Sequence, residues 1–151
     1  MNTPHKPYRR FFLTLALSFG IMYCVMYLNT YALDHVYPSL TRLYMTVLMI
    51  TPMAVIMLGS MHHMYQNIRL NMLIVGGSTA VFALALLMVR SQTLVDDRRW
   101  MQAMIPHHSI AILTSERATI KAPEVRQLAD SIISTQKREI GEMKRLLSRL
   151  K

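Results

Sequence analysis

Three long uncharged, apolar runs constrain this chain more than any other feature of its sequence. They cover residues 11–29, 43–61 and 72–89. A helix needs about 20 mostly apolar residues to cross the hydrocarbon core of a bilayer, where an open strand would leave its backbone polar groups unpaired. Tyrosines flank the runs, as is typical of membrane–water interfaces: Tyr8, Tyr31, Tyr44 and Tyr65. The sequence therefore predicts a membrane domain, residues 1–89, with three transmembrane helices.

Basic residues near the runs bear on the orientation of this domain. Lys6, Arg9 and Arg10 precede the first run, which favours a cytoplasmic N-terminus and places the C-terminal domain outside. The other basic residues that flank the runs favour neither orientation in the membrane. A basic start is also typical of a cleaved signal peptide, but this run is longer than a usual signal core and lacks a good cleavage site.

The composition changes at Arg90, where charged residues become frequent and apolar residues recur at helical spacing. The pattern predicts one helix over about 97–119 and another from Pro123 to near the end, with Pro123 and Glu124 forming a favourable helix start. The short connection predicts an antiparallel two-helix hairpin over residues 90–151, in an all-α protein. So small a domain cannot cover both apolar stripes. We therefore expect a homodimer, or a higher oligomer, that completes a four-helix bundle; the alternative is docking onto the chain's own membrane face.

Residues of types that bind soft metals are predicted to lie at the same level along the two helices of this hairpin. Met101, Met104 and His108 lie on one face of the first helix. Gln136 and Glu139 interrupt the apolar arc of the second helix, near Met143. Folding the hairpin about residue 121 brings the two faces level, and thioether with imidazole suits Cu(I) or the similar Ag(I). The alternative is a His108–Glu139 hydrogen bond with the methionines as core filler.

A second methionine pattern runs along the second apolar run at every fourth position. It comprises Met45, Met49, Met53, Met57 and Met61, and is followed by His62, His63 and Met64. The pattern fits a soft-metal relay, and equally fits apolar filler in a membrane helix. Gln136, Met61, His62, His63 and Met64 are secondary ligand candidates. With three spans, His62 and His63 lie on the opposite membrane face from His107 and His108.

Three segments carry a resemblance to a known family. They are M-I-P-H-H-S-I-A-I (residues 104–112), P-E-V-R-Q-L-A (residues 123–129) and Q-K-R-E-I-x-x-M (residues 136–143). Together they resemble the ferritin-like family catalogued as domain of unknown function 305, over about residues 94–150, and the three-span part resembles a membrane-bound branch of it. The resemblance implies a ferritin-like half-bundle in an exported domain of a bacterial inner-membrane protein. It also implies copper binding linked to copper tolerance, with Met101, Met104, His107, His108 and Met143 as candidate ligands.

Other function classes find little support in the sequence. There is no Glu-x-x-His pair for a di-iron centre, no phosphate-binding glycine loop and no nucleophile with an evident base, so we expect no enzyme. The net charge of +9 is spread over outer helix faces without stacking aromatics, which favours contact with lipid headgroups over nucleic acid. The leading hypothesis is a membrane protein whose exported domain binds copper or silver and contributes to metal tolerance. The alternative is a membrane-anchored interaction module that dimerises and binds no metal.

Overall fold

The computed structural model describes residues 6–150, which form five α-helices and, within that range, no strand. The helices are α1 (Lys6–Val25), α2 (Leu40–Ser60), α3 (Ile68–Ser91), α4 (Asp97–Arg117) and α5 (Pro123–Arg149). Single 3₁₀ turns lie at Leu33–His35 and His62–Met64. Two compact units result. Among the described residues, unit 1 comprises 6–24 and 41–93, and unit 2 comprises 25–40 and 94–150.

Unit 1 contains α1, α2 and α3, and its buried residues gather where α1 begins. Tyr8 and Phe11 pack in one cluster with Leu58, Tyr65 and Ile74. The Tyr8 hydroxyl lies 2.8 Å from Oδ1 of Asn71 and also accepts the backbone N–H of Asn67. Asn67 in turn caps α3 by accepting the N–H of Leu70, so one hydrogen-bond network joins α1 to the start of α3.

The prediction of three membrane spans is wrong for the first of them, residues 11–29. Among the described residues, two helices are long and apolar enough to cross a membrane, Leu40–Ser60 and Ile68–Ser91. Helix α1 begins at Lys6, includes Arg9 and Arg10, and ends at Val25, four residues before the predicted end. Its uncharged part, residues 11–25, is therefore only about 22 Å long at 1.5 Å per residue, against a hydrocarbon core of about 30 Å.

Proline inside α2 is accommodated by its neighbour in the chain. Pro52 cannot donate the helical hydrogen bond to the carbonyl of Leu48. The Thr51 hydroxyl compensates, since Oγ1 lies 3.3 Å from that oxygen and 3.1 Å from the carbonyl oxygen of Val47. Helix α2 therefore runs unbroken from Leu40 to Ser60.

Unit 2 is built on helices α4 and α5, which run in opposite directions. The Arg126 side chain donates to the Ser115 carbonyl, and at the other end the Arg98 side chain donates to the Leu150 carbonyl. Asp96 caps α4 by accepting the N–H of Arg99 at 2.8 Å. Five buried residues form the core between the helices: Met101, Ile105, Ile112, Ile140 and Met143.

Residues 25–40, called here the docked segment, belong to unit 2 rather than to the unit that contains α1, α2 and α3. Tyr37 packs against the core of the α4–α5 pair, and the Tyr31 backbone N–H donates to Oγ of Ser109 at 2.7 Å. The sequence-based prediction placed residues 25–29 in the first span and residues 30–40 in a connection, both inside a membrane domain ending at residue 89. Part of the apolar surface of α4 and α5 is thus covered by the chain's own segment.

Candidate functional site

The candidate site occupies the inner face of α4. Helical spacing places Met101, Ile105, Ser109 and Ile112 on the buried side of this helix. Met104 and His108 flank that side and are partly buried. Pro106 is itself buried and leaves the carbonyl of Gln102 without its usual helical donor.

His108 has a defined partner at each ring nitrogen. Nδ1 lies 2.8 Å from the carbonyl oxygen of Met104, and Nε2 lies 2.9 Å from Oε2 of Glu139 on α5. A carbonyl oxygen can only accept, so Nδ1 carries a hydrogen and Nε2 is the nitrogen available to a second partner. The contact between Nε2 and the Glu139 carboxylate links α4 to α5.

The exposure of this pair is asymmetric. Only 12% of the His108 side chain is exposed, whereas 41% of the Glu139 side chain is. Gln136, one turn before Glu139, is half-buried. The imidazole is therefore held inside the protein while the carboxylate reaches it from the edge of the helix pair.

The three predicted thioether ligands gather in one cluster. Met101 and Met143 are buried core members, and Met104 packs against them from α4. The cluster also contains Ile105 and Ile140, so these methionines fill apolar space in the absence of any ligand. The structure thus brings together Met101, Met104 and Met143, and pairs His108 with Glu139.

Other predicted ligands are not members of this cluster. His107 is exposed, and its ring centroid is 6.0 Å from that of His108. Met61, His62, His63 and Met64 are all exposed and belong to unit 1. Within residues 6–150, no group of three or more His, Cys, Asp or Glu side chains could hold a metal ion. A metal site on α4 and α5 therefore depends on sulfur ligands.

A second buried histidine was missed by sequence reasoning. Nδ1 of His35 lies 2.9 Å from Oγ of Ser109, and that oxygen also accepts the Tyr31 N–H. Burial lowers the pKa of His35, the nearby Lys144 ammonium lowers it further, and Asp34 opposes both effects. Ser109 has no exposed surface, so its hydroxyl joins the docked segment to α4 and is closed to a substrate.

Charged side chains at the protein surface also hold the docked segment on α4 and α5. Asp34 forms an ion pair with Lys144, and this hydrogen bond lowers the pKa of Asp34. Lys137 pairs with Glu116 at 3.1 Å and lies 5.4 Å from the centroid of the Tyr31 ring. That pairing lowers the pKa of Glu116 and raises the pKa of Lys137. The only sequence signal for these contacts is the clustering of Asp34, His35 and Tyr37 in a short polar stretch.

Comparison with known proteins locates one family segment in the chain. The family model described as Domain of unknown function (DUF305) matches residues 85–147. The DUF305 segment contains α4 and most of α5, and with them the methionine cluster and the His108–Glu139 pair. The match supports the family resemblance of this part of the chain.

A viral relative shares a stretch of similar length. "Uncharacterized protein L153" of Acanthamoeba polyphaga mimivirus is 42% identical over 65 residues. The matched stretch covers 42% of this chain and 43% of the relative's length. No solved structure matches the chain. The comparisons therefore support a DUF305 segment and leave its role to be argued from the site.

Proposed function

We propose that the α4–α5 pair binds a soft monovalent cation, Cu(I) or Ag(I), through His108 and the thioethers of the methionine cluster. The observation that carries this proposal is the fixed state of His108. Its Nδ1 hydrogen is held by the Met104 carbonyl, so Nε2, which faces Glu139, is the ring nitrogen that a metal ion would use, on a side chain of which only 12% is exposed. A backbone carbonyl on the second nitrogen is the usual support of a metal-binding histidine. The bound ion would replace the direct contact between Nε2 and Glu139, because 2.9 Å is too short to hold a metal ion between these two atoms.

The donor types restrict the metal. Thioether sulfur from Met101, Met104 and Met143 is soft and neutral, and favours Cu(I) over the hard cations that carboxylate and carbonyl ligands select. Glu139 supplies one negative charge, which matches one monovalent cation. The bound ion would bridge the two helices and stabilise unit 2. We assign the protein a part in metal tolerance or handling, with no catalytic step.

The setting of this proposed site is a membrane surface. Only 28% and 11% of the most apolar stretches of α2 and α3 are buried inside the protein. A core helix of a water-soluble protein would be mostly buried, so lipid is the natural cover for these two helices. We propose that α2 and α3 cross a bacterial inner membrane. Arg69 and the start of α1, with Arg9 and Arg10, lie at the connection between these two helices, which favours a cytoplasmic position for that end and anchors the α4–α5 pair on the outer face. Residues that remain exposed on the pair, Val125 and Leu128 among them, would meet a second copy in a ferritin-like four-helix bundle.

A silver titration of the full chain in detergent tests the metal proposal. The single tryptophan, Trp100, lies on α4 and reports the unfolding of unit 2. Binding to the folded form alone must raise its stability, by about 2.7 kcal/mol when the free ligand is 100 times the dissociation constant. We expect Ag(I) to raise the denaturation midpoint of the wild type.

Matched substitutions separate sulfur chemistry from packing. The double variant M104L with M143L keeps apolar volume but removes two thioethers, and should abolish the silver effect while unit 2 stays folded. The variant M72L with M88L removes two thioethers from α3 and should respond like the wild type. An unchanged silver effect in the first variant would refute the proposal.

The direct His108–Glu139 contact favours one other function. In that alternative the pair is a structural link in a membrane-anchored module that dimerises and binds no metal. Glu139→Gln would then weaken unit 2, and Ag(I) would leave the wild-type midpoint unchanged. Absence of any silver effect in the wild type therefore selects this alternative.

A further inference from the structure

A stripe of methionines on α2 is turned away from the core of unit 1. Met45, Met49, Met53 and Met61 are each between 36% and 40% exposed. The buried residues of this helix are others, among them Thr51, Ala54 and Leu58. Only Met57, one turn before Met61, packs partly against the core cluster. Most of the stripe therefore does not serve as core filler within the chain.

The stripe ends in a turn that adds two imidazoles. Met61, His62, His63 and Met64 follow the end of α2, and all four are exposed. The ring centroids of His62 and His63 are 4.4 Å apart. Nδ1 of His62 lies 3.3 Å from the Gly59 carbonyl oxygen, so it carries a hydrogen and leaves Nε2 free to bind a ligand.

The charge of unit 1 restricts what these groups can bind. The sequence contains no Asp or Glu before Asp34, and none between Asp34 and Asp96. Unit 1 therefore has no carboxylate to neutralise a bound cation. Ca²⁺ and Mg²⁺ require oxygen ligands, mostly carboxylates, whereas neutral sulfur and nitrogen ligands suit a soft monovalent cation.

We propose that Met61, His62, His63 and Met64 form a second binding site for a soft monovalent cation, Cu(I) or Ag(I), at the end of α2. This site lies in unit 1, whereas the site proposed above lies in unit 2. It is exposed, is formed by consecutive residues and contains no carboxylate. Met57 lies one helical turn away, so an ion that leaves the turn meets further thioethers along the stripe.

Silver stoichiometry of the full chain tests this second site. The purified protein in detergent micelles is titrated with silver nitrate in chloride-free buffer, and bound metal is counted after removal of free ions. We expect two equivalents in a C24S background, which is used throughout because the exposed thiol of Cys24 is itself a strong silver ligand. The variants H62Q with H63Q, and M61L with M64L, should each bind one equivalent fewer. The control M72L with M88L should keep both equivalents.

Zinc provides a test of ligand softness at the same turn. A tenfold excess of Zn²⁺ should not displace the silver bound at the turn, which is the equivalent that the H62Q with H63Q variant lacks. Full stoichiometry in both turn variants, or displacement by Zn²⁺, would overturn this proposal.

The outcomes for the two sites are distinguishable. In the M104L with M143L variant, silver should no longer stabilise unit 2, as measured by Trp100 fluorescence. The variant should still bind the one silver equivalent at residues 61–64. If that variant loses its equivalent while the turn variants lose none, the site on α4 stands and this one fails. If the turn variants lose an equivalent while M104L with M143L loses none, the site at the turn is supported and the site on α4 is refuted.

Discussion

Ser109→Ala should release the docked segment from the α4–α5 pair. The Ser109 hydroxyl accepts the Tyr31 N–H at 2.7 Å and bonds to Nδ1 of His35 at 2.9 Å. The substitution leaves both groups without this partner. A desolvated polar group that loses its partner costs about 1–3 kcal/mol. Tyr31 is 38% exposed and His35 is only partly buried, so we take the low end, about 1 kcal/mol for each.

Hydrogen exchange measures this loss directly. In the 3₁₀ turn of the docked segment, the N–H of His35 donates to Ala32 and that of Val36 to Leu33. These amides exchange when the segment opens. A loss of about 2 kcal/mol corresponds to roughly thirtyfold more opening, so exchange of peptides from residues 25–40 should accelerate by about that factor in S109A.

A second serine provides the matched control. Ser134 on α5 is exposed, and its hydroxyl bonds only to the Ser131 carbonyl in the same helix. Ser134→Ala should therefore leave exchange in residues 25–40 unchanged. Equal exchange in S109A and S134A would refute the conclusion that Ser109 holds the segment to α4.

Three further predictions concern unit 2. Because the folded state holds the pKa of His35 below its ordinary value of 6.5, unfolded chains bind its proton more readily, and stability should fall as pH drops through 6.5 toward the folded pKa. His35→Asn should flatten that part of the profile measured by Trp100 fluorescence, and an unchanged profile would contradict it. Ile112→Ala removes a side chain with no exposed surface and should lower the free energy of unfolding by about 2–5 kcal/mol in denaturant titrations. Leu128→Glu changes a largely exposed residue, so it should reduce oligomer mass in light scattering, and loss of the partner should also lower the unfolding midpoint measured by Trp100 fluorescence; an unchanged mass would exclude this face from the dimer.

Local sequence patterns were sufficient for the helices of unit 2. The predicted start at Pro123 and a helix starting at Asp97 agree with α5 and α4 as observed. The side chains of His108 and Glu139 meet, which is the hydrogen bond expected in the alternative without a metal; folding about residue 121 placed His108 closer to residue 134. Such predictions succeed because helical rise is uniform, so sequence spacing converts directly into position along two packed helices.

The first apolar run shows where local pattern is insufficient. Its hydropathy suggested a span over residues 11–29, but a turn begins after Val25, where the Thr30 hydroxyl bonds to the Tyr27 carbonyl. The helix instead extends backwards through Arg9 and Arg10 to Lys6. Apolar composition predicts burial or lipid contact, whereas the ends of a helix depend on particular hydrogen bonds.

The sequence by itself determined the all-helical class, two apolar helices of membrane-spanning length, and the antiparallel pairing of the faces that carry His108 and Glu139, because each depends on composition or on uniform helical spacing. Only the tertiary structure decided that residues 25–40 pack on α4 and α5, with His35 on Ser109 and Asp34 on Lys144. These contacts join residues far apart in sequence, in a segment too short to show a hydrophobic period. Its position is fixed by hydrogen bonds and ion pairs that form only once the helices are packed.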